Sequence, residues 1–225
     1  MRRVVITGSG RGLGKSLVEE FSDAGWAVVA VARTPTTWPD RPRVTAVTHD
    51  IRDEPTVELM SVIGNGPVDV LINNAAQGAP HAKLGDIATA GVMNAVDVNV
   101  AGPLRLVQAL LPQLLAAPDP VIINVTSRLG SVAAQARGDY SDLSTSYAYK
   151  ISKAAQNMLT ISLAQDLAGQ VRCWAVHPGK LATGMGQADA SKDPRVAARE
   201  LRELVDSPDR TSPRLVSLGS ADLAW

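Results

Sequence analysis

Three tyrosines, Tyr140, Tyr147 and Tyr149, are the only ones in the chain, and all fall within ten residues of one another. Two of them have a lysine one helical turn further on, Lys150 at i+3 from Tyr147 and Lys153 at i+4 from Tyr149. On a helix such pairs lie side by side, and a nearby ammonium lowers the pKa of a phenol from its usual value of about 10. Such a phenol can give and take a proton near neutral pH. Spacing alone leaves both pairs as candidates.

A glycine-rich segment near the N-terminus, TGSGRGLGKS (residues 7–16), is the second feature that predicts chemistry. It joins an apolar β-branched run to a helical pattern, so its backbone can approach a phosphate at the N-terminus of the helix. The G-x-G-x-x-G spacing that starts at Gly8 meets Leu13 where its last glycine belongs. The final GKS fits the P-loop pattern, but that pattern requires glycine where this chain has Ser9. The segment predicts phosphate binding, with a P-loop nucleotide enzyme as one alternative.

The elements that must position these residues alternate along the chain, with short β-branched runs between longer helical patterns. The predicted strands cover residues 3–7, 27–32, 44–49, 68–73, 120–127 and 171–177. The predicted helices cover residues 12–24, 54–63, 87–116, 147–168 and 193–204. Because the strands are almost continuously apolar, both of their faces must be covered. The pattern predicts an α/β fold, a doubly wound parallel β-sheet flanked by helices, with ligands at the carboxyl ends of its strands.

Length and composition limit the classes of protein that fit. A chain of 225 residues with 45% hydrophobic content can bury one core, so residues 1–225 are expected to form a single domain with a short substrate loop around 180–193. Lys+Arg and Asp+Glu both number 22 without a basic stripe, which argues against nucleic acid. Cys173 is the single cysteine and the histidines are scattered, so neither a disulfide nor a metal site is expected. No apolar segment reaches membrane length, and we expect a cytoplasmic location without membrane partners.

A third glycine spacing does fit, because Thr7-Gly8 followed by Gly12 and Gly14 resembles the T-G-x-x-x-G-x-G motif of short-chain dehydrogenase/reductases. Five further motifs resemble that family in order: DVLINNAA (69–76), VNVAGP (98–103), INVTSRLGS (123–131), YKISK (149–153) and HPGKLATGMG (177–186). The residues of these motifs are most similar to those of C-factor and sniffer-type carbonyl reductases. The resemblance implies a single-domain Rossmann fold that moves a hydride between a nicotinamide and a small carbonyl or alcohol substrate. A non-catalytic, cofactor-sensing relative stays open as an alternative, although no catalytic residue of the family is missing.

The resemblance also assigns roles to four residues. Its Y-x-x-x-K motif occurs only at Tyr149, which is therefore implied to be the proton donor and acceptor. Ser127, at a predicted strand end, is implied to hydrogen-bond the substrate oxygen. Lys153 is implied to lower the pKa of the phenol and to hold the ribose of the nicotinamide. The side chain of Asn99 is implied to organise a water that extends the proton relay.

The cofactor is expected to be NADP(H). Enzymes that prefer NAD place a carboxylate after the second strand, where it binds the ribose hydroxyls and repels a 2′-phosphate. Here that position is Ala32, followed by Arg33, and Arg11 lies in the glycine-rich segment, so two guanidinium groups can bind the phosphate. The cofactor contacts implied by the resemblance are Gly8, Ser9, Arg11, Gly12, Leu13, Gly14, Arg33, Asp50, Ile51, Asn74, Ala75, Ala76, Tyr149, Lys153, Pro178, Gly179, Leu181 and Thr183.

Some positions depart from the family pattern. The loop between Ser127 and Tyr149 is longer than usual, and we expect it to contact substrate, first through Leu129, Tyr140 and Leu143. Ala76 replaces a usual glycine. Lys180 either favours an anionic substrate group or points into water, and the sequence leaves both open. By resemblance we expect a homodimer or homotetramer that packs through the helices near 87–116 and 147–168.

Overall fold

The computed structural model describes residues 1–143, 145–182 and 190–225 and contains one parallel sheet. The strands are β1 (Arg3–Thr7), β2 (Ala27–Ala32), β3 (Val44–Thr48), β4 (Val70–Asn73), β5 (Val121–Val125), β6 (Arg172–His177) and β7 (Arg214–Ser217). Their order in the sheet is β3-β2-β1-β4-β5-β6-β7, and every pairing is parallel. The predicted single-domain Rossmann fold is therefore confirmed.

Helices cover both faces of the sheet. They are α1 (Gly12–Asp23), α2 (Val57–Ile63), α3 (Thr89–Val96), α4 (Gly102–Leu115), α5 (Val132–Arg137), α6 (Tyr147–Asp166) and α7 (Pro194–Asp206). Along β1, Val4 and Ile6 pack into the core with α1 and α7, whereas Val5 packs into the core with α2, α4 and α6. Adjacent side chains of a strand point to opposite faces, which explains why apolar residues run continuously through these strands. No helix among the described residues is both long and apolar enough to span a membrane.

The predicted helix over 87–116 is interrupted in a way that matters for the site. Between α3 and α4 the chain forms a π-helical turn over Asp97–Ala101, and Asn99 lies at its centre. Such turns widen the helix by one residue and are frequent at functional sites. Two short elements, β7 and α5, were not predicted, because four and six residues carry too little periodicity. As predicted, residues 33–42 contain neither helix nor strand.

The strand order reverses at β1, which has β2 on one side and β4 on the other. The crossover connections leave β1 and β4 in opposite directions, so a crevice opens at their carboxyl ends. The glycine-rich segment follows β1, the Asn74 segment follows β4, and Ser127 follows β5. The fold therefore gathers at one edge the segments that the motifs identified.

Candidate active site

The turn after β1 depends on three of its four glycines, Gly8, Gly12 and Gly14. Gly8 and Gly12 have φ angles of 66° and 53°, in the left-handed region that favours glycine. A Cβ atom on Gly14 would overlap the carbonyl oxygen of Gly8, and one on Gly8 would lie 2.8 Å from the Cα of Ala75. The glycines thus let the N-terminus of α1 and the end of β4 approach one turn closely. This leaves backbone N–H groups of the first helical turn available for an anion.

Other residues of this turn face in different directions. The Ser9 hydroxyl donates to the Val31 carbonyl at 3.0 Å, and Leu13 packs into the core, so only the backbone of these two can face a cofactor. Arg11 and Arg33 are exposed, and in the described parts of the chain neither guanidinium forms an ion pair. Both are therefore accessible to an anion from solvent.

Asp50 and Ile51 follow β3. The Asp50 carboxylate accepts hydrogen bonds from Arg52 at 2.6 and 3.1 Å, and these bonds lower its pKa to about 2. Ile51 packs in the core, and a Cβ on Gly102 would lie 2.9 Å from the Ile51 carbonyl oxygen. Asp50 is thus ionised beside the crevice, while only the backbone of Ile51 is open to a ligand.

Asn74 joins the ends of β1 and β4. Its Nδ2 donates to the carbonyls of Thr7 and Gly8 at 2.9 and 3.2 Å. The Thr7 hydroxyl accepts from the backbone N–H groups of Asn74 and Ala75, both at 3.0 Å. These bonds use the amide hydrogens of Asn74 to fix the floor of the crevice, and they position Ala75 and Ala76 along its wall.

Ser127 and Tyr149 meet at the carboxyl end of β5. Ser127 begins a 3-10 turn, Arg128–Gly130, by accepting a hydrogen bond from the Leu129 N–H at 3.2 Å. Tyr149 lies in the first turn of α6, where its N–H donates to the capping Ser146 hydroxyl at 3.2 Å. The Ser127 hydroxyl lies close enough to the Tyr149 phenol to favour its ionised form. The two groups expected to share a substrate oxygen are therefore adjacent.

Lys153 lies below them, and its side chain is almost wholly buried. Its Nζ donates to the Val125 carbonyl and to Gln156 Oε1, both at 2.8 Å, and lies 5.8 Å from the centre of the Tyr149 ring. Burial lowers the pKa of Lys153 to about 7.

Burial raises the pKa of Tyr149, and the neighbouring Ser127 hydroxyl offsets only part of that rise. The expectation that Lys153 leaves this phenol with a lowered pKa is therefore wrong for the structure. Desolvation disfavours the phenolate more than a cation at this distance favours it, and that cation is itself bound to two other acceptors.

Asn99 is fully buried and connects three segments. Its Oδ1 accepts from the Gln77 N–H at 2.8 Å, while its Nδ2 donates to the Gln77 carbonyl at 2.8 Å and to the Ser152 hydroxyl at 2.9 Å. Both amide hydrogens of Asn99 are used by the protein. In the structure this side chain ties the loop after β4 to α6, and its organisation of a relay water stays a prediction.

The other two tyrosines contact different residues. Tyr147 is 47% exposed and lines a shallow surface groove with Ile151. The Tyr140 ring lies under the Arg128 guanidinium, 5.1 Å from its carbon to the ring centre. Of the two pairs that spacing left open, the structure brings the Tyr149 pair to Ser127.

The loop after β6 forms the remaining wall. Gly179 has a φ of 95°, and a Cβ there would lie 2.8 Å from the Lys192 side chain. Leu181 pairs with Lys192 in a short parallel bridge, which closes this loop on the start of α7. Pro178 and Gly179 thus follow the end of β6 within the same edge of the sheet. Thr183 lies outside the described residues.

Beneath Lys153 lies a chain of hydrogen bonds between buried polar side chains, which the sequence motifs do not indicate. Asn73 Nδ2 donates to Asn124 Oδ1, Asn124 Nδ2 donates to Thr160 Oγ1, and Thr160 donates to the Gln156 carbonyl, each at 2.9 Å. A signal was present, because Lys153, Gln156 and Thr160 recur at helical spacing and thus share the inner face of α6.

Comparison with known proteins agrees with this geometry. Residues 2–194 match the short chain dehydrogenase family. C-signal from Myxococcus xanthus is 36% identical over 163 residues, which cover 71% of this chain and 94% of that protein. The carbonyl reductase Sniffer of D. melanogaster aligns over 100% of both chains with a TM-score of 0.89 and 24% identity. A carbonyl reductase from Pseudomonas aeruginosa PAO1 in complex with NADP aligns over 100% of both chains with a TM-score of 0.80 and 26% identity.

The chain therefore belongs to the short-chain dehydrogenase family, and the predicted membership is confirmed. This result also sets aside the P-loop alternative, since the glycine-rich turn belongs to the family's own motif.

Proposed function

We propose that this protein is an NADP(H)-dependent oxidoreductase that transfers a hydride between the nicotinamide and a carbonyl or alcohol carbon of a small organic substrate. The observation that carries the proposal is the arrangement of three side chains: the Ser127 hydroxyl lies close enough to the Tyr149 phenol to favour its ionised form, and Lys153 Nζ lies 5.8 Å from the centre of the phenol ring. This arrangement supplies the two functions that a carbonyl reduction requires of a protein, a hydrogen-bond donor and an acid at one oxygen atom.

The residues of the crevice fit a dinucleotide. The glycine-rich turn and the N-terminus of α1 present backbone N–H groups to the phosphates, and Asp50, Ala75 and Ala76 line the adenosine side. Lys153 is placed to bind the nicotinamide ribose, and Pro178 and Gly179 flank the nicotinamide end. When bound, the cofactor supplies or accepts the hydride.

The chain's own residues handle the proton. In reduction, the carbonyl carbon gains the hydride and its oxygen gains the proton of the Tyr149 phenol. Ser127 hydrogen-bonds the same oxygen and stabilises its developing negative charge. The raised pKa of Tyr149 keeps the phenol protonated at neutral pH, which suits an acid. In alcohol oxidation the phenolate is the base, and the ammonium of Lys153 then favours it.

NADP(H) is proposed over NAD(H) because of the charges after β1 and β2. Ala32 ends β2 without a carboxylate, and the exposed Arg11 and Arg33 can both pair with a 2′-phosphate. A cavity of about 390 Å³ lies next to Gly10, and its charged lining residues balance, with Lys15 and Arg41 against Glu19 and Asp40. The NADP complex of the related P. aeruginosa enzyme supports this choice.

The substrate is proposed to lie against the insert between Ser127 and Tyr149. Leu129 is buried next to Ser127, and Tyr140 stacks on Arg128, so both are held near the hydroxyl pair. We propose a homodimer or homotetramer, which the exposed apolar side chains of Leu115 on α4 and Met158 on α6 support. Sedimentation that shows only monomer at micromolar concentration would contradict the assembly.

Two measurements test the proposed function. Thermal stability with NADPH, NADH and ATP reports which nucleotide binds the folded protein, and we expect NADPH to raise it most. Oxidation of NADPH in the presence of diketones and aldehydes then separates an enzyme from a cofactor-sensing relative. Binding of NADPH without turnover of any carbonyl compound would favour the sensor.

A further inference from the structure

Gln156 is the residue nearest the catalytic group Lys153 that no motif explains. It lies one turn after Lys153 on α6, is wholly buried, and accepts the hydrogen bond from Lys153 Nζ at 2.8 Å. Its own Nε2 is buried without a partner among the described residues. A buried amide that leaves one donor unpaired destabilises the fold relative to an apolar residue of the same size. A purely space-filling role would therefore favour leucine or methionine here.

The geometry around Lys153 shows what the amide does. An ammonium has three N–H donors, and the Val125 carbonyl and Gln156 Oε1 take two of them. The third donor is left for the nicotinamide ribose or for the groups around Ser127 and Tyr149 above it. The only titratable group that faces this ammonium in the described structure is Tyr149, and no carboxylate pairs with it. Among the described residues, Gln156 is thus the single side chain that accepts a hydrogen bond from the ammonium.

We propose that Gln156 is a positioning residue for Lys153, whose neutral amide oxygen holds the buried ammonium in place and keeps it charged without neutralising its field at the phenol. A carboxylate at this position would also hold the ammonium, but its negative charge would cancel part of the positive potential that favours the Tyr149 phenolate. The inference rests on the proposed role of Lys153 in catalysis.

Hydrogen bonding to the charged form raises the pKa of a lysine, and burial alone already lowers that of Lys153 to about 7. Gln156→Leu removes one of its two acceptors, so the pKa should fall further, by about one pH unit. Gln156→Glu retains an acceptor and adds a negative charge, so the pKa should rise. Gln113→Leu is the matched control, because Gln113 is another buried glutamine with one unpaired amide atom, on α4.

The experiment is an NMR titration of the full-length protein labelled with ¹⁵N at the lysine side chains, with Lys153→Arg to assign the signal. We expect the pKa of Lys153 to fall in Gln156→Leu, to rise in Gln156→Glu and to stay unchanged in Gln113→Leu. Alcohol oxidation by Gln156→Leu should fall about tenfold in kcat with little change in KM, and its pH profile should move to higher pH.

Thermal melting of Gln156→Leu shows whether the variant is folded, because the change removes the unpaired amide donor but also takes one acceptor from Lys153. An unchanged lysine pKa and an unchanged pH profile in Gln156→Leu would overturn the proposal, as would an equal change in Gln113→Leu. If Gln156→Leu does not fold, the direction of the pKa change in Gln156→Glu decides. Because the titration needs no turnover, a protein that reduces no carbonyl compound would contradict the proposed function without removing the lysine result.

Discussion

The two ends of the crevice are built in opposite ways. At the catalytic end, Lys153 and Asn99 are buried, and hydrogen bonds to the protein hold both side chains. At the adenosine end, Arg11 and Arg33 are exposed and have no ion-pair partner in the described parts of the chain. Proton transfer requires fixed distances, so its groups are held before the substrate arrives. Recognition of a phosphate tolerates flexible side chains, whose ordering is part of the binding free energy.

The largest effect is expected at the catalytic end of the crevice, from Tyr149→Phe. The change removes one hydroxyl and with it the transferred proton, so turnover should fall by about 10²- to 10⁴-fold while the fold and NADPH binding are retained. Tyr147→Phe is the control, because that side chain is 47% exposed and lies two residues away. The measurement is kcat for carbonyl reduction with both variants. A reversed result would assign the acid to Tyr147.

A somewhat smaller effect is expected from Lys153→Met, which keeps most of the side-chain volume. Without the ammonium the pKa of the Tyr149 phenol rises, so alcohol oxidation should move to higher pH and lose about 10²-fold in rate at neutral pH. NADPH should also bind more weakly, as measured by a fluorescence titration. Full activity with an unchanged pH profile would show that catalysis does not need the Lys153 ammonium.

At the adenosine end of the crevice, the expected effect is a change of about tenfold in kcat/KM. The unmodified protein should prefer NADPH over NADH by at least a factor of about 10 in kcat/KM, or about 1.4 kcal/mol. Replacing Ala32 with Asp and Arg33 with Asn should reverse the preference, because a carboxylate repels the 2′-phosphate and binds the ribose hydroxyls. Arg137→Gln serves as a control for removal of an exposed arginine elsewhere. Equal use of both cofactors by the unmodified protein would contradict the assignment.

The smallest effect concerns Asp50, a carboxylate that Arg52 holds at the adenosine end. Its folded pKa of about 2 lies below its ordinary value of 3.8, so its contribution to stability is present above pH 3.8 and is lost as pH falls towards 2. Arg52→Gln removes the main cause of that lowering. The variant should lack this contribution, seen as a small drop in melting temperature at pH 7 that shrinks as the pH falls from 3.8 towards 2. A drop of equal size at pH 7 and at pH 2 would point to a loss of packing instead.

Much of this architecture could be read from the sequence because its causes are local. The apolar runs identify β1, β2 and β3 almost to the residue, and the glycine spacing identifies the turn after β1. Strand β7 was missed because its four residues have no distinctive pattern and gain their stability from pairing with β6.

The contacts within the site could be predicted only in part. The i+4 spacing of Tyr149 and Lys153 fixes their proximity, but the rise in the pKa of Tyr149 depends on burial by distant segments. The partners of Asn99 come from the loop after β4 and from α6, at sequence separations of 22 and 53. Such contacts follow from the tertiary packing of a π-helical turn, and no local pattern in the sequence indicates them.

The support of Lys153 by one backbone carbonyl and one side chain has a consequence for how the protein can vary over generations. Substitution at Val125 changes the side chain but leaves the backbone carbonyl that accepts from Lys153, so this hydrogen bond survives the substitution. A single substitution at position 156, in contrast, can remove or change the hydrogen bond that Gln156 accepts from Lys153. Natural variants that differ in the pH range of their activity should therefore carry their differences at position 156 more often than at position 125.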